Sequence, residues 1–378
     1  MKIAWISSYY PRACGIATYS AEYVKELRRF ENDITVISHT DAKPRYDVIP
    51  IIDDEDEKWH LKVYDAIKEI KPDVVHFQHE YGLYECKGDK NQRLIELLGL
   101  LKKGSIPAVM TFHSVYSTLD DCQSSFMNES LKLLPAGIVH CEYQKEALPH
   151  NLGWTPDNVY VLPHGAREGL KLDKEECKGL YRDKNIVGMV GLASQRKGFH
   201  RILERWHEIC NDLEDCILMV DVMPHPKDIK SREYIAELAR LTAESQIKIP
   251  GKKSIEYEIT YPPNEDDLHK KLKSFDVVVL PYETESQSGI LARSFATHTP
   301  SIVRDTEGLG FEVKKSRAGI AVKSDDEILC SIVDLIRDSM GREKMEDNAR
   351  NYVNKYCGWS IVSKKTMQIY EDIKSFFL

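Results

Sequence analysis

The amino-acid sequence predicts an α/β protein of two doubly wound domains, on three observations. Short apolar runs alternate with longer amphipathic ones almost from end to end, as in a parallel sheet wrapped by helices on both faces. The alternation restarts after a charged stretch at 167–185. A length of 378 residues, at roughly 150 per domain, makes two domains rather than one. Ligands of such sheets bind beyond the C-terminal strand ends, so two Rossmann-like domains in tandem are expected to face each other across a central cleft.

The elements follow in order. A strand at 2–6 is followed by the loop Tyr10 to Thr18 and a helix whose Tyr19, Tyr23, Val24 and Leu27 share one face. Strands at 34–38, 74–77, 108–112, 137–141 and 159–162 continue the first series, with a helix on Leu61, Val63, Ala66 and Ile67 between the second and third. The second series comprises strands at 186–191, 216–220, 277–280, 301–303 and 319–322. A last helix, 359–377, carries more apolar surface than one solvent-facing helix should, so it is expected to return to the first domain. The domains are therefore placed at 1–166, completed by 360–378, and at 167–359.

Composition removes several function classes. With 52 Lys+Arg against 60 Asp+Glu the net charge is −8, and no basic stripe is present, so nucleic acid is not an expected partner. No apolar run approaches the roughly 20 residues that cross a bilayer. The N-terminus reads as a strand rather than a signal peptide, and nine scattered cysteines without a Cys-x-x-Cys pair read as reduced thiols, which together suggest a cytoplasmic protein. Leu94 to Leu101 followed by Lys102-Lys103 has the composition of an interfacial helix, so peripheral membrane contact on the cytoplasmic face stands as an alternative to an ordinary domain-covering helix. The run Asp53-Asp54-Glu55-Asp56 contains an Asp-x-Asp spacing, but it directly precedes a helix, where carboxylates favour the first turn; no metal site is expected. Gly-x-Ser-x-Gly, His-Glu-x-x-His, Walker A and Gly-x-Gly-x-x-Gly patterns are absent.

Four segments carry candidate chemistry. The loop holding Gly15 runs into a helix N-terminus, which attracts anions, although a sharp turn alone would also use glycine. Arg196 and Lys197, at a strand exit before Gly198, suit a diphosphate, with a solvated turn as the alternative. Pro281 to Ile290 brings Glu283, Glu285, Ser288 and Gly289 to another strand end where a helix begins, a place for a sugar joined to phosphate. His76, Gln78, His79, Glu80 and Tyr81, then Thr111-Phe112-His113-Ser114 and Pro163-His164-Gly165, put histidines at three strand ends. One such histidine is usually structural; three are harder to dismiss.

The order of these segments resembles retaining glycosyltransferases of the GT-B fold, family 4, also called glycosyl transferases group 1. The quoted motifs are the strand-one Gly loop, Pro72 to His76, Thr111-x-His113, Leu162 to Gly165, Arg196-Lys197-Gly198, Asp276 to Pro281, Pro300 to Val303 and the helix from Trp359. Each is weak alone; together, in order, they span nearly the whole chain. The resemblance implies that Arg196 and Lys197 neutralise the diphosphate of a GDP- or UDP-linked sugar, that the amides of Ser288, Gly289 and Ile290 bind phosphate, and that Glu285 holds sugar hydroxyls. It places His113 beside the sugar as a catalytic residue with Glu285 and Lys197, and Gly15 near the diphosphate. His79, Glu80, Tyr81 and His164 fall on the acceptor side. It implies transfer of a mannose- or glucose-type hexose to a glycan, lipid-linked or small-molecule hydroxyl, with retention and with no metal or cofactor. Two positions depart from the family pattern. Arg293 stands where a second Glu usually contacts the nucleotide ribose, and Leu192 where an Arg is common. A non-catalytic GT-B protein that binds a glycan or nucleotide is therefore the rival expectation.

Overall fold

Two wholly parallel sheets organise the described residues of the computed structural model, which are 1–85, 88–213, 215–224, 230–260 and 264–375. The first sheet contains β1 (Lys2–Ile6), β2 (Asp33–His39), β3 (Val48–Ile52), β4 (Val74–His79), β5 (Ala108–Phe112), β6 (Ala136–Val139) and β7 (Val159–Val161), in the spatial order β3-β2-β1-β4-β5-β6-β7. The second contains β8 (Asn185–Leu192), β9 (Cys216–Met223), β10 (Ile255–Glu258), β11 (Val277–Leu280), β12 (Ser301–Arg304) and β13 (Gly319–Val322), in the order β10-β9-β8-β11-β12-β13. In each sheet the chain winds outward one way and then restarts on the other side of its first strand. The switch points therefore lie between β1 and β4 and between β8 and β11.

Two strands escape the sequence reading, β3 and β10, and both sit at sheet edges. Val48-Ile49-Pro50-Ile51-Ile52 is interrupted by a proline that only an edge strand tolerates, and Ile255-Glu256-Tyr257-Glu258 is half polar because one flank lacks a neighbour. β11 and β6 are apolar and buried at every residue, whereas β4 buries His76, Gln78 and His79 within its length.

The chain divides into Met1–Gly165 with Trp359–Leu378, and Ala166–Gly358. Each division falls one residue from the sequence expectation, so Ala166 and Trp359 change sides. The helix Trp359–Ser375 packs Trp359, Val362, Ile369, Tyr370 and Ile373 with Ile3, Trp5, Tyr19 and Tyr23 of the first unit. Its Thr366 hydroxyl meets the Tyr23 hydroxyl, and Lys374 pairs with Asp73 at 2.7 Å. The last two residues expected in this helix, 376 and 377, lie outside the described residues. Gly165 lets the Trp359 indole lie directly against the backbone, since a β-carbon at that position would fall inside the ring. In the second unit Asp276 ties the short helix Lys174–Lys178 to the sheet: its carboxylate accepts from the Ile186 amide at 2.7 Å and pairs with Lys174 and Lys178 at 2.9 Å.

Leu94, Leu97, Leu98 and Leu101 are at most 1% exposed, so this face of the helix Gln92–Lys103 packs inside the unit, while Ile95 and Leu100 are partly buried. Among the described residues no helix is long and apolar enough to cross a membrane. The eight described cysteines are free; Cys86 lies outside the described residues. Asp53 and Asp56 accept from the backbone amides of Glu55 and Lys58 in the turns that lead into the helix Trp59–Ile70, and Asp56 pairs with Lys62 at 2.8 Å.

Gly165→Ala is expected to destabilise the first unit by about 1–3 kcal/mol through overpacking against Trp359, and Trp359→Ala by about 3–5 kcal/mol. Urea unfolding followed by circular dichroism checks both. Equal stability of wild type and Gly165→Ala would show that the indole does not need this glycine.

Candidate functional site

In the second unit the chemistry gathers at the switch point between β8 and β11. Past β8 the chain makes a single 3-10 turn, Gln195–Lys197, and then Gly198 at φ 65° before the helix Phe199–Ile209. Only glycine fits there: a side chain would be strained by that φ and would also strike the Pro281 carbonyl. The turn is thereby pressed onto the loop that leaves β11. Arg201 donates to the Pro281 carbonyl and pairs with Glu283 at 2.8 Å, while the Glu283 amide donates to the Arg196 carbonyl at 2.9 Å.

These ties bring the charged groups together. Arg196 Nη1 lies 2.8 Å from both the Thr284 carbonyl and Glu285 Oε2. Lys197 Nζ is 3.2 Å from the Tyr282 hydroxyl and 4.3 Å from the centroid of its ring, a cation–π contact. Burial pulls the Lys197 ammonium down, but Tyr282 and Glu285 outweigh it and hold the group above its ordinary value, so it is a cation at neutral pH. Four residues beyond Glu285 in the same loop, Gly289 starts the helix Gly289–Ala296, capped by Ser288, whose Oγ accepts from the Leu291 amide at 3.3 Å. Two cations, a carboxylate and a helix N-terminus therefore converge on one strand end, an arrangement that suits an anion attached to a polyol.

Arg293 lies one turn into that helix. Its Nε and Nη2 grip Glu265 at 2.7 and 3.0 Å, and Nη1 donates to the Gly289 carbonyl at 2.8 Å. Glu265 opens the helix Glu265–Ser274, whose N-cap is Asn264. Burial raises its carboxyl, but Arg293 prevails and keeps it below the usual range.

The first unit places Gly15, Glu80, Tyr81, His113 and His164 beyond or at the ends of its strands. Gly15 begins the helix Gly15–Leu27, and beyond its chain neighbours and its own helix backbone no described atom lies within 4 Å of where a β-carbon would stand. Ser114 donates to Glu80, whose other oxygen accepts from the Tyr81 amide at 3.2 Å. His164 packs edge-on to Tyr19 at 4.8 Å. His79 does not share this edge. It is buried, stacked on Phe126 at 4.3 Å, so the expected acceptor-side role gives way to a core one.

His113 belongs to a chain of buried polar groups. Burial holds His76 down at about 3 and His140 at about 4, and burial with the neighbouring histidines holds His113 well below its ordinary value, so all three are neutral. His140 Nδ1 lies 3.0 Å from the Leu162 carbonyl and must donate to it. Its Nε2 lies 3.2 Å from His113 Nδ1. His113 Nε2 donates to the Gln78 carboxamide oxygen, Oε1, at 2.8 Å. The NH2 end of that amide donates to His76 Nε2 at 3.0 Å, where the Thr111 hydroxyl also lies at 2.8 Å, and His76 Nδ1 donates to the Tyr370 hydroxyl. Both His113 nitrogens are engaged, and the ring also meets Tyr19 edge-on at 4.7 Å.

Residues 13–167 match the model described as Glycosyltransferase Family 4, and residues 184–338 the model described as Glycosyl transferases group 1. The chain belongs to the group 1 glycosyltransferases. An uncharacterized glycosyltransferase of Methanocaldococcus jannaschii is 32% identical over 258 residues, 68% of this chain and 61% of that protein. This match thus spans about three fifths of the relative's length. Among solved structures, sucrose-phosphate synthase from Thermosynechococcus elongatus superposes with a TM-score of 0.78 at 16% identity over the whole of both chains. Anabaena HepE in complex with UDP follows at 0.76 and 12%, over 98% of this chain and all of that one. The E. coli trehalose-6-phosphate protein bound with UDP-2-fluoro glucose gives 0.76 and 9%, over 99% of each. At these identities the likeness establishes the GT-B fold, two Rossmann-like units of parallel sheet flanked by helices.

Tyr282, Glu265 and His140 escaped the sequence reading. His140 follows a strand and precedes a helix just as His113 does, and Tyr282 follows Pro281 directly; their positions were the available signal. Nothing local marks Glu265, whose partner is 28 residues away.

Neutral histidines set the acid stability. His76, His79, His113 and His140 bind protons below about 6.5 in the unfolded chain, but the folded unit refuses them, His76 and His79 until about 3 and His140 until about 4. Their contribution is complete above pH 6.5 and is lost as pH falls, to about 4 for His140 and to about 3 for His76 and His79, at about 1.4 kcal/mol per pH unit for each. His79→Phe should lower that slope by about 1.4 kcal/mol per unit between pH 6 and 5. Urea unfolding at several pH values, read by tryptophan fluorescence, tests it; an unchanged slope would place the proton uptake elsewhere.

Proposed function

We propose that the protein transfers a mannose- or glucose-type hexose from a UDP- or GDP-linked donor to a hydroxyl acceptor, with retention and without a metal. The observation that carries this reading is the convergence of Arg196, Lys197, Glu285 and the N-terminus of the helix Gly289–Ala296 at one switch point. Breaking the glycosidic C–O bond puts negative charge on the diphosphate and positive charge on the sugar. Lys197, Arg196 and the Ser288, Gly289 and Ile290 amides answer the first charge, and Glu285 the second. In the free protein Arg196 and Glu285 neutralise each other. A donor whose phosphate takes the guanidinium and whose sugar takes the carboxylate would replace that pair with two charge-assisted contacts. Solved proteins of the same fold hold UDP, UDP-glucose or UDP-2-fluoro glucose, which is the donor chemistry assigned here.

The first unit's acceptor-side residues are Glu80 and Tyr81 beyond β4 and His164 after β7, while its Gly15, at a helix N-terminus, is assigned to the diphosphate. His113 acts there as a neutral, held ring, because both nitrogens are already bonded. One observation favours a second reading, a non-catalytic nucleotide- or glycan-binding protein: Arg293 occupies the position of the family's ribose-binding Glu.

A thermal-shift screen against GDP, UDP, ADP and their sugars, with and without EDTA, separates the two readings when joined to product analysis. Saturation at 100 times the dissociation constant stabilises by about 2.7 kcal/mol. A shift with UDP or GDP, indifferent to EDTA, followed by sugar transfer is the expected outcome; binding without turnover would favour the second reading. Lys197→Ala is expected to cost about 3 kcal/mol of transition-state stabilisation, roughly a hundredfold in kcat. Near-normal turnover by that variant would remove Lys197 from the site.

A further inference from the structure

The ribose carboxylate missing at position 293 has a substitute within reach. We propose that Glu265 supplies it: the carboxylate that accepts the ribose hydroxyls comes from the first residue of the helix Glu265–Ser274, held in place by Arg293. This rests on the nucleotide-sugar reading above.

Three features argue for it. First, the guanidinium of Arg293 folds back along its own helix, with Nη1 on the Gly289 carbonyl, so the Glu265 carboxylate it grips is drawn toward the same first turn that is assigned to the phosphates. Ribose joins diphosphate to base, and a carboxylate one turn from the phosphate amides is where its hydroxyls fall. Second, the grip is bidentate, with Nε and Nη2 each on a separate oxygen at 2.7 and 3.0 Å. Each carboxylate oxygen accepts more than one hydrogen bond, so a vicinal diol can still be bound. Third, the pair is neither sealed nor floppy: the Glu265 side chain retains 21% of its exposure and that of Arg293 14%. That opening leaves the carboxylate accessible to a ligand. The Arg293 charge also keeps Glu265 ionised against its burial, which a hydroxyl acceptor requires.

The exchange is a charge reversal at a fixed place. Where the family carries its acid directly on the helix Gly289–Ala296, this chain carries a base there and imports the acid from the preceding helix. Arg293 is thus a positioning residue and Glu265 a binding residue, so the departure is compatible with an active donor site.

Isothermal titration of the full chain tests the assignment with UDP, GDP, their 2′,3′-dideoxy counterparts and inorganic pyrophosphate. Wild type is expected to prefer the ribonucleotide over its dideoxy form by about ten- to a hundredfold, the loss of one or two hydrogen bonds to a charged acceptor. Glu265→Gln should bring the ribonucleotide down to the dideoxy level while pyrophosphate binding stays within twofold. The exchange variant Glu265→Arg with Arg293→Glu, which puts the acid where the family has it, should restore the preference, and it also serves if the single variant unfolds. A wild-type ribose preference that survives in Glu265→Gln, or the absence of any preference in wild type, overturns the proposal and leaves the nucleotide-sugar reading standing. Failure of both UDP and GDP to bind wild type overturns the two together.

Discussion

A parallel strand buried on both faces has almost nowhere to carry polar chemistry except beyond its end. That constraint arranges the second unit. β8 and β11 are apolar along their central residues, and Arg196, Lys197, Tyr282 and Glu285 appear only after each strand has left the sheet. Because the winding reverses between these two strands, no helix covers the gap beyond them, and both exits open onto the same place. Gly198, by its close approach to Pro281, and Arg201, by its bonds to the Pro281 carbonyl and Glu283, then lock one loop against the other, so the site is held by residues other than the cations it presents.

The first unit breaks the same rule and shows what the exception requires. β4 buries His76, Gln78 and His79 inside its own length, and β5 buries Thr111. Each unpaired polar group there would cost about 1–3 kcal/mol, so the strand is tolerable only because a continuous chain of hydrogen bonds accounts for most of them. One end of that chain is Tyr370, which belongs to the C-terminal helix. Closing the first unit with the last helix of the sequence is therefore a polar requirement as well as an apolar one. His79 stays outside the chain, stacked between aromatic rings with its Nε2 without a hydrogen-bond partner.

Much of this was legible in the residues. The repeated alternation gave two parallel sheets, and Arg196-Lys197-Gly198 and Glu285 to Gly289 were found because turn glycines and charges follow apolar runs directly. What stayed hidden was pairing. That Arg196 would meet Glu285, 89 residues on, or that Arg293 would meet Glu265 depends on how helices and loops settle on the sheet, and no local spacing encodes it. The edge strands β3 and β10 were missed because Pro50 and the alternating glutamates look like loop composition, which is how an edge strand avoids further pairing. His79 was misplaced for the opposite reason: at a strand end, a histidine stacked in the core and one reaching a ligand have the same sequence context.

The central claim is that the donor diphosphate sits on the loop after β8 and the first turn of the helix Gly289–Ala296. Amide hydrogen exchange, followed by mass spectrometry with and without saturating UDP or GDP, reads that location directly. Protection concentrated in peptides covering 192–198 and 284–291, and absent from those of the first unit's sheet, is the predicted result. Bound nucleotide that leaves both peptides unprotected while slowing exchange elsewhere would contradict the assignment.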